Sequence, residues 1–478
     1  YQVTYIVRSV IDYSMSSAKM IGRAVASCRL SSKGLRSQSV DLSILLSRNT
    51  YPNTRTMASK AITMDNINPN IVKLEYAVRG PLVTRAGEIE KELQKGADKP
   101  FKRVIKANIG DAHAMGQQPI TFIRQVLSCV ANPEIIEKGN FPDDVKQRAR
   151  DVLKSCGGNS VGAYTMSYGI ESIRRHVAEY IQKRDGFPSD WNNVVLVGGA
   201  SNGIKNCLQL LVNKINGKTV MIPIPQYPLY SASLAEYGLE LVGYYLDEEH
   251  QWGLSPEELE RSYAGGQEKN NVRAIVVINP GNPTGQVLSR ENIEAIVKFA
   301  NAHNLFIFAD EVYQHNVYAE GSEFFSFKKV MMEMGEPYNK MELASFMSVS
   351  KGYMGECGLR GGWMELVNLD PQVQVNLYKA ISAMLCPSSL GQAAVDCAKP
   401  PAPGEPSYDL WLKEKTQVLE SLNKRAKMIV GLHPSPSEKA PIFLFPFSET
   451  TILPQPALLQ EMLDIFRSFH EKFTKQYS

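Results

Sequence analysis

Residues 274–285 read AIVVINPGNPTG: an apolar run, Ala274-Ile-Val-Val-Ile278, then a turn through Asn279, Pro280, Gly281, Asn282 and Pro283. A continuous apolar run closed by Pro and Gly is the pattern of a strand buried on both faces. Downstream, a helical pattern runs from Arg290 to His303, and a second apolar run, Leu305-Phe-Ile-Phe308, ends in Ala309-Asp310-Glu311. Upstream the alternation continues. Val194–Val197 ends in Gly198-Gly199, a helical pattern covers Gly203 to Val212, and strand-like runs follow at Val220–Ile224 and Leu239–Tyr245. Phe346–Val349 makes a sixth. Buried strands alternating with amphipathic helices predict an α/β fold with a mostly parallel sheet covered by helices on both faces.

In such sheets the ligand sits beyond the carboxyl ends of the strands, so the residues just after each strand carry the functional reading. After the first strand, GGASNG (Gly198 to Gly203) opens a helix and offers Ala200 and Ser201 to an anion such as phosphate. After the second, PQYPLY (Pro225 to Tyr230) offers the aromatic face of Tyr227. Asn282 stands between two prolines after the fourth. Asp310 ends the fifth, where an unpaired buried carboxylate is costly, and Tyr313 lies three residues on. Then SVSKGYMGECGLRGG (Ser348 to Gly362) places Lys351 among glycines and Arg360 nine residues later, a guanidinium suited to phosphate. Each feature alone has a plain structural reading: a turn, a core tyrosine, a helix cap, a surface lysine. Together they fit pyridoxal 5′-phosphate (PLP), which needs a lysine for a Schiff base and an acid that keeps its ring nitrogen protonated.

Composition narrows the alternatives. In 478 residues, 52 Lys plus Arg stand against 49 Asp plus Glu, a net charge of +3, without the concentrated positive charge of a nucleic-acid or anionic-membrane binder. No apolar stretch approaches the ~18 residues of a membrane-spanning helix. Seven cysteines, at 28, 129, 156, 207, 357, 386 and 397, include no CxxC pair, so neither a disulfide framework nor a zinc site is expected. Residues 1–63 differ from the rest: basic, Ser-rich and with Asp12 and Asp41 as the acids. That composition suits a mitochondrial transit segment, with a cytoplasmic tail as the alternative. Pro-rich KPPAPGEP (Lys399 to Pro406) closes a domain. Helical patterns cover Tyr408 to Ile429, with Leu410, Trp411, Val418, Leu422 and Ala426 apolar, and the last 25 residues, with Leu458, Leu459, Met462, Ile465, Phe466 and Phe469. The expected organisation is an N-terminal segment and part of a small domain (64–155), a large cofactor-binding domain (156–398) and a C-terminal small domain (399–478).

NPGNPTG, Ala309-Asp310-Glu311-Val312-Tyr313 and Ser348-Val-Ser-Lys351-Gly resemble the fold-type-I aminotransferases. ANIGDAHAMGQQPITFIRQV (Ala107 to Val126), GGNSVGAYTMSYGI (Gly157 to Ile170), MIPIPQYPLYSA (Met221 to Ala232), ADEVYQHNVY (Ala309 to Tyr318) and SKGYMGECGLRGGWME (Ser350 to Glu365) resemble the alanine branch of that family. The resemblance implies transamination of L-alanine and 2-oxoglutarate to pyruvate and L-glutamate, in ping-pong order. It implies that Lys351 carries PLP as a Schiff base and relays protons, and that Asp310 pairs with the ring nitrogen. Tyr313 and Asn282 would bind the ring phenolate, Tyr227 would stack on the ring, and Ala200, Ser201, Ser348 and Arg360 would hold the phosphate. Gly110 would belong to a segment closing over the substrate. A homodimer is expected by the same analogy, with amino acids and 2-oxo acids as small-molecule partners and neither nucleic acid nor membrane as a partner.

One departure stands out. The family carries an arginine for the substrate α-carboxylate just before a Thr-Ile-Leu-Pro run; here Thr451-Ile-Leu-Pro454 is preceded by Ser448-Glu449-Thr450. The segment between Ala426 and Thr451 is also short. An internal deletion is expected, and with it the alternative of a chain that binds PLP but turns over poorly.

Overall fold

The computed structural model describes residues 60–106, 109–213, 218–268, 271–430 and 454–477. Residues 68–478 form a unit of their own, apart from residues 1–67. The transit-like segment to residue 59, the stretch after Val430 where a deletion is expected, and Glu449 lie outside the described residues.

A seven-stranded sheet has the order β1-β7-β6-β5-β4-β2-β3, with β1 Val194–Val197, β2 Thr219–Ile224, β3 Glu240–Tyr245, β4 Val272–Ile278, β5 Phe306–Asp310, β6 Leu343–Ser348 and β7 Gly362–Val367. The pairs β2–β3, β2–β4, β4–β5 and β5–β6 are parallel. β7 runs antiparallel to β1 and to β6. The six strands read from the sequence are present within a few residues. β7 is the one missed, because Glu365 interrupts its apolar run. That carboxylate is buried and is matched by the buried Lys328 ammonium at 2.5 Å and the Ser189 hydroxyl at 2.6 Å. An ion pair inside the core made a central strand look polar.

Along β4 and β5 the side chains alternate between two cores. Ala274, Val276, Ile278, Phe306 and Phe308 pack on one face with Ile204, Tyr230 and Leu234. Ile275, Val277, Ile307 and Ala309 pack on the other with Ile293, Ile296 and Val297. Period-2 alternation with both faces covered explains why these strands read as unbroken apolar runs. Further cores lie beside the sheet. One joins helices Thr121–Ala131, Asp143–Lys154 and Glu171–Asp185. Another joins Ala112 to Leu422, Ile429, Leu459 and Leu463, packing the N-terminal part of the chain with the two C-terminal helices Tyr408–Val430 and Pro456–Tyr477.

Three helical expectations shift. The helix after β1 spans Ala200–Gln209, not Gly203 to Val212: Gly199, at φ 87° and ψ 160°, lets the chain turn directly from the strand. In Tyr408–Val430, Trp411 is buried while Leu410 is exposed, since adjacent residues lie ~100° apart on a helix. Among the described side chains of the last helix, Leu459 and Leu463, one turn apart, are buried and Ile465 faces outward; Phe466 and Phe469 lie outside them. No described helix is long and apolar enough to cross a membrane.

Candidate active site

Strand register brings the chemistry together. Ile278 of β4 is level with Asp310 of β5, and Ser348 of β6 is level with Gly362 of β7, which is itself level with Val197 of β1. The segments leaving these positions surround a cavity of about 460 Å³, within the usual range for a small-molecule site. Ala200, Ser201, Tyr227, Asn282, Asp310, Tyr313, Ser348, Lys351, Arg360 and Gly110 all line it. Every candidate residue for the cofactor, and Gly110 for the substrate, is therefore in one place.

One wall is built for an anion. The helix Ala200–Gln209 points its N-terminus, with its unsatisfied N–H groups, at the cavity. Arg360 lies across this end: Nη2 donates to the Gly198 carbonyl at 3.1 Å and contacts Ser201 Oγ at 3.4 Å, and Nη1 donates to the Cys357 carbonyl at 3.0 Å. A Cβ on Gly199 would collide with the guanidinium. Arg360 itself sits in the left-handed region at φ 55°, a strained conformation for a residue with a Cβ. Ser348 Oγ donates to the Gly361 carbonyl at 3.1 Å and accepts from the Ser350 N–H at 3.1 Å.

A second wall holds a buried carboxyl. Asp310 is 4% exposed. Its Oδ2 accepts from the Tyr230 hydroxyl at 2.7 Å, while Oδ1 has a long 3.5 Å contact from the Val312 N–H. Burial pushes its pKa up to about 6, against the pull of the Tyr230 hydrogen bond, the Val312 amide and the Lys351 charge. Across from it, Lys351 Nζ donates to the Gly110 carbonyl at 2.8 Å and stands 5.7 Å from the centre of the Tyr313 ring. Asn282 Nδ2 donates to the Tyr313 hydroxyl at 3.1 Å. The Tyr227 and Tyr76 hydroxyls are 2.8 Å apart, and burial raises the Tyr227 pKa well above the usual phenol value.

The turn carrying Asp310 and Tyr313 is held from behind. Glu311 is fully buried, accepts from the Phe327 N–H and the Ser345 hydroxyl at 2.8 Å each, and lies 3.6 Å from Arg184. Gln314 Oε1 accepts from Tyr180 at 2.8 Å and Arg184 at 3.1 Å. Burial pushes Glu311 up to about 7, with Arg184 opposing it, and pushes His315 down to about 4.

Sequence reasoning missed several lining residues, among them Val78, Gln226, Ser350 and Cys357, and the supporting Tyr76 and Tyr230. Tyr230 and Ser350 were in view, inside PQYPLY and SVSK, but nothing in a one-dimensional motif says which tyrosine faces a cavity and which lies beneath it.

The donor set suits PLP on structural grounds: an anion cradle kept open by a glycine, an amine, and a buried carboxyl whose raised pKa marks the want of a cation. The family described as aminotransferase class I and II, whose members use this cofactor, matches residues 136–465, and the chain belongs to it. Among its relatives are a Danio rerio protein named alanine aminotransferase 2-like, 47% identical over 88% of this chain and 87% of that one, and a Dictyostelium discoideum protein named probable alanine aminotransferase, mitochondrial, 45% identical over 81% and 76%. A solved alanine aminotransferase from Pyrococcus furiosus shares the fold, with a TM-score of 0.64 at 19% identity over 85% of this chain and 99% of that one.

Proposed function

We propose that this chain transfers the amino group of L-alanine to 2-oxoglutarate, giving pyruvate and L-glutamate, with pyridoxal 5′-phosphate as cofactor. The observation that carries this reading is the convergence of Lys351, Asp310 and the Ser201–Arg360 cradle on one cavity. When bound, the cofactor supplies an electron sink for the charge left at the substrate α-carbon.

The chain's own residues do the rest. Arg360, Ser201, Ser348 and the Ala200 helix end hold the phosphate and so fix the ring's position. Asp310 would pair with the ring nitrogen and hold a proton there. Asn282 and Tyr313, already hydrogen-bonded to one another, would hold the phenolate oxygen, and Tyr227 would cover the ring. The Lys351 amine would anchor the cofactor and then hold on Nζ the proton taken from the substrate α-carbon, a role that needs an amine freed of solvent. Gly110, on the segment tied to Lys351, borders the substrate. The active unit is a homodimer, and the compartment is mitochondrial, a reading supported by the composition of residues 1–63.

The deciding experiment is an absorbance titration of the purified chain with PLP. A visible band should form, bleach on addition of L-alanine alone, and return with 2-oxoglutarate. A band that L-alanine leaves unchanged overturns the alanine assignment. Fractionation of cells expressing the chain with a C-terminal tag reads the compartment.

A further inference from the structure

PQYPLY supplies two tyrosines to this region, and they do different things. Tyr227 lines the cavity. Tyr230, the second residue of the helix Leu229–Tyr237, does not. It is wholly buried among the apolar side chains of one face of the sheet. A buried phenol needs an acceptor, and this one takes Asp310 Oδ2 at 2.7 Å. The neighbouring phenol, Tyr244, is spent on the Val276 carbonyl. The Tyr230 pKa is raised well above the ordinary phenol value by burial and then by Asp310 itself, so the group is always a donor.

The consequence lies at the other carboxyl oxygen. A proton shared between a carboxylate and a pyridine nitrogen goes to the more basic partner. Burial makes Asp310 more basic, which favours the carboxyl. A hydrogen bond donated into the carboxylate acts the other way, and Tyr230 is the strongest such influence on Asp310, ahead of the Val312 amide and the Lys351 charge. It also fixes which oxygen is left: Oδ1 carries a single long contact from Val312.

We infer that Tyr230 is a positioning residue that keeps the ring proton on the cofactor nitrogen, by holding Asp310 Oδ2 and leaving Oδ1 for the ring. The inference rests on the PLP reading above, and it concerns a residue that touches neither cofactor nor substrate. Losing one hydrogen bond to a charged acceptor shifts such a proton equilibrium by about tenfold or more.

The test uses the full chain loaded with PLP labelled with ¹⁵N in the ring, read by solid-state NMR. Wild type should show a pyridinium-like shift, and Tyr230→Phe should move it toward neutral pyridine. Binding of the ring-carbon analogue, 1-deaza-PLP, should stay within about twofold in that variant, since the analogue has no nitrogen for Asp310 to protonate. An unchanged ¹⁵N shift overturns the inference, and so does an equal loss of affinity for both cofactors, which marks a merely structural role. Should Tyr230→Phe fold poorly, 3,5-difluorotyrosine at position 230, a stronger donor of nearly the same shape, should move the shift further toward pyridinium; no movement overturns the inference. Absence of any bound cofactor signal in wild type refutes the PLP reading itself, a distinct result.

Discussion

Burying Asp310 destabilises the chain that carries it. Its pKa rises from the ordinary 3.8 to about 6, so between those values the folded state holds more protons than the unfolded one. Stability is then greatest below the ordinary value and falls as pH rises through about 6. A rise of that size is worth on the order of 3 kcal/mol. Asp310→Asn should therefore make the cofactor-free chain more stable at pH 7.5, by about 1–3 kcal/mol in chemical denaturation, an advantage that disappears near pH 4. The same variant should lose turnover by roughly tenfold to a hundredfold or more, because a charged hydrogen bond of about 1.5–3 kcal/mol is gone. Lys351→Ala should no longer retain the cofactor covalently. Borohydride reduction followed by mass spectrometry should find no added mass at that position, and transamination should cease.

Among the elements, the strand-to-helix turn at Gly199 decides whether the anion cradle exists. Its φ of 87° and ψ of 160° belong to a region almost confined to glycine, and its missing Cβ is the space that Arg360 occupies. Gly199→Ala should cost about 1–3 kcal/mol from backbone strain alone. By displacing Arg360 it should also weaken PLP binding by at least tenfold, measured by fluorescence titration. The helix Glu171–Asp185 has a comparable role from outside the cavity, since Tyr180 and Arg184 hold the turn after β5. Arg184→Met leaves Asp185 and Glu311 without their cation, and removing one partner of a buried pair costs about 3–5 kcal/mol. Thermal melts should show the loss, and turnover should fall with it because Asp310 and Tyr313 ride on the same turn.

For the whole molecule, cofactor binding and stability are one equilibrium. A ligand at a hundred times its dissociation constant adds about 2.7 kcal/mol to the folded state. PLP should raise the melting temperature by a few degrees, and inorganic phosphate, which can fill the cradle alone, by less. The Lys351→Ala chain should respond to PLP more weakly than wild type. A melting temperature indifferent to PLP would separate this chain's cavity from its family's cofactor.

Most of the sheet and ten of the cavity's lining residues were legible in the sequence, because a buried parallel strand must be apolar throughout and because the features at the strand ends, each ordinary alone, fit one cofactor together. What failed was whatever depended on a partner distant in the chain. β7 was hidden by Glu365, whose charge is matched by Lys328 only once the two meet in the core. Tyr230 was indistinguishable from Tyr227 until the fold left Tyr227, ahead of the helix Leu229–Tyr237, lining the cavity and buried Tyr230, inside that helix, against Asp310. The helix after β1 began three residues early because its start is set by Gly199 and Arg360 packing together, not by periodicity. The sequence by itself determined six of the seven strands, the alternation and the ten candidate residues of the site. Only the tertiary structure decided how those residues are held, because burial, hydrogen-bond partners and the pKa values they produce are properties of neighbours in space.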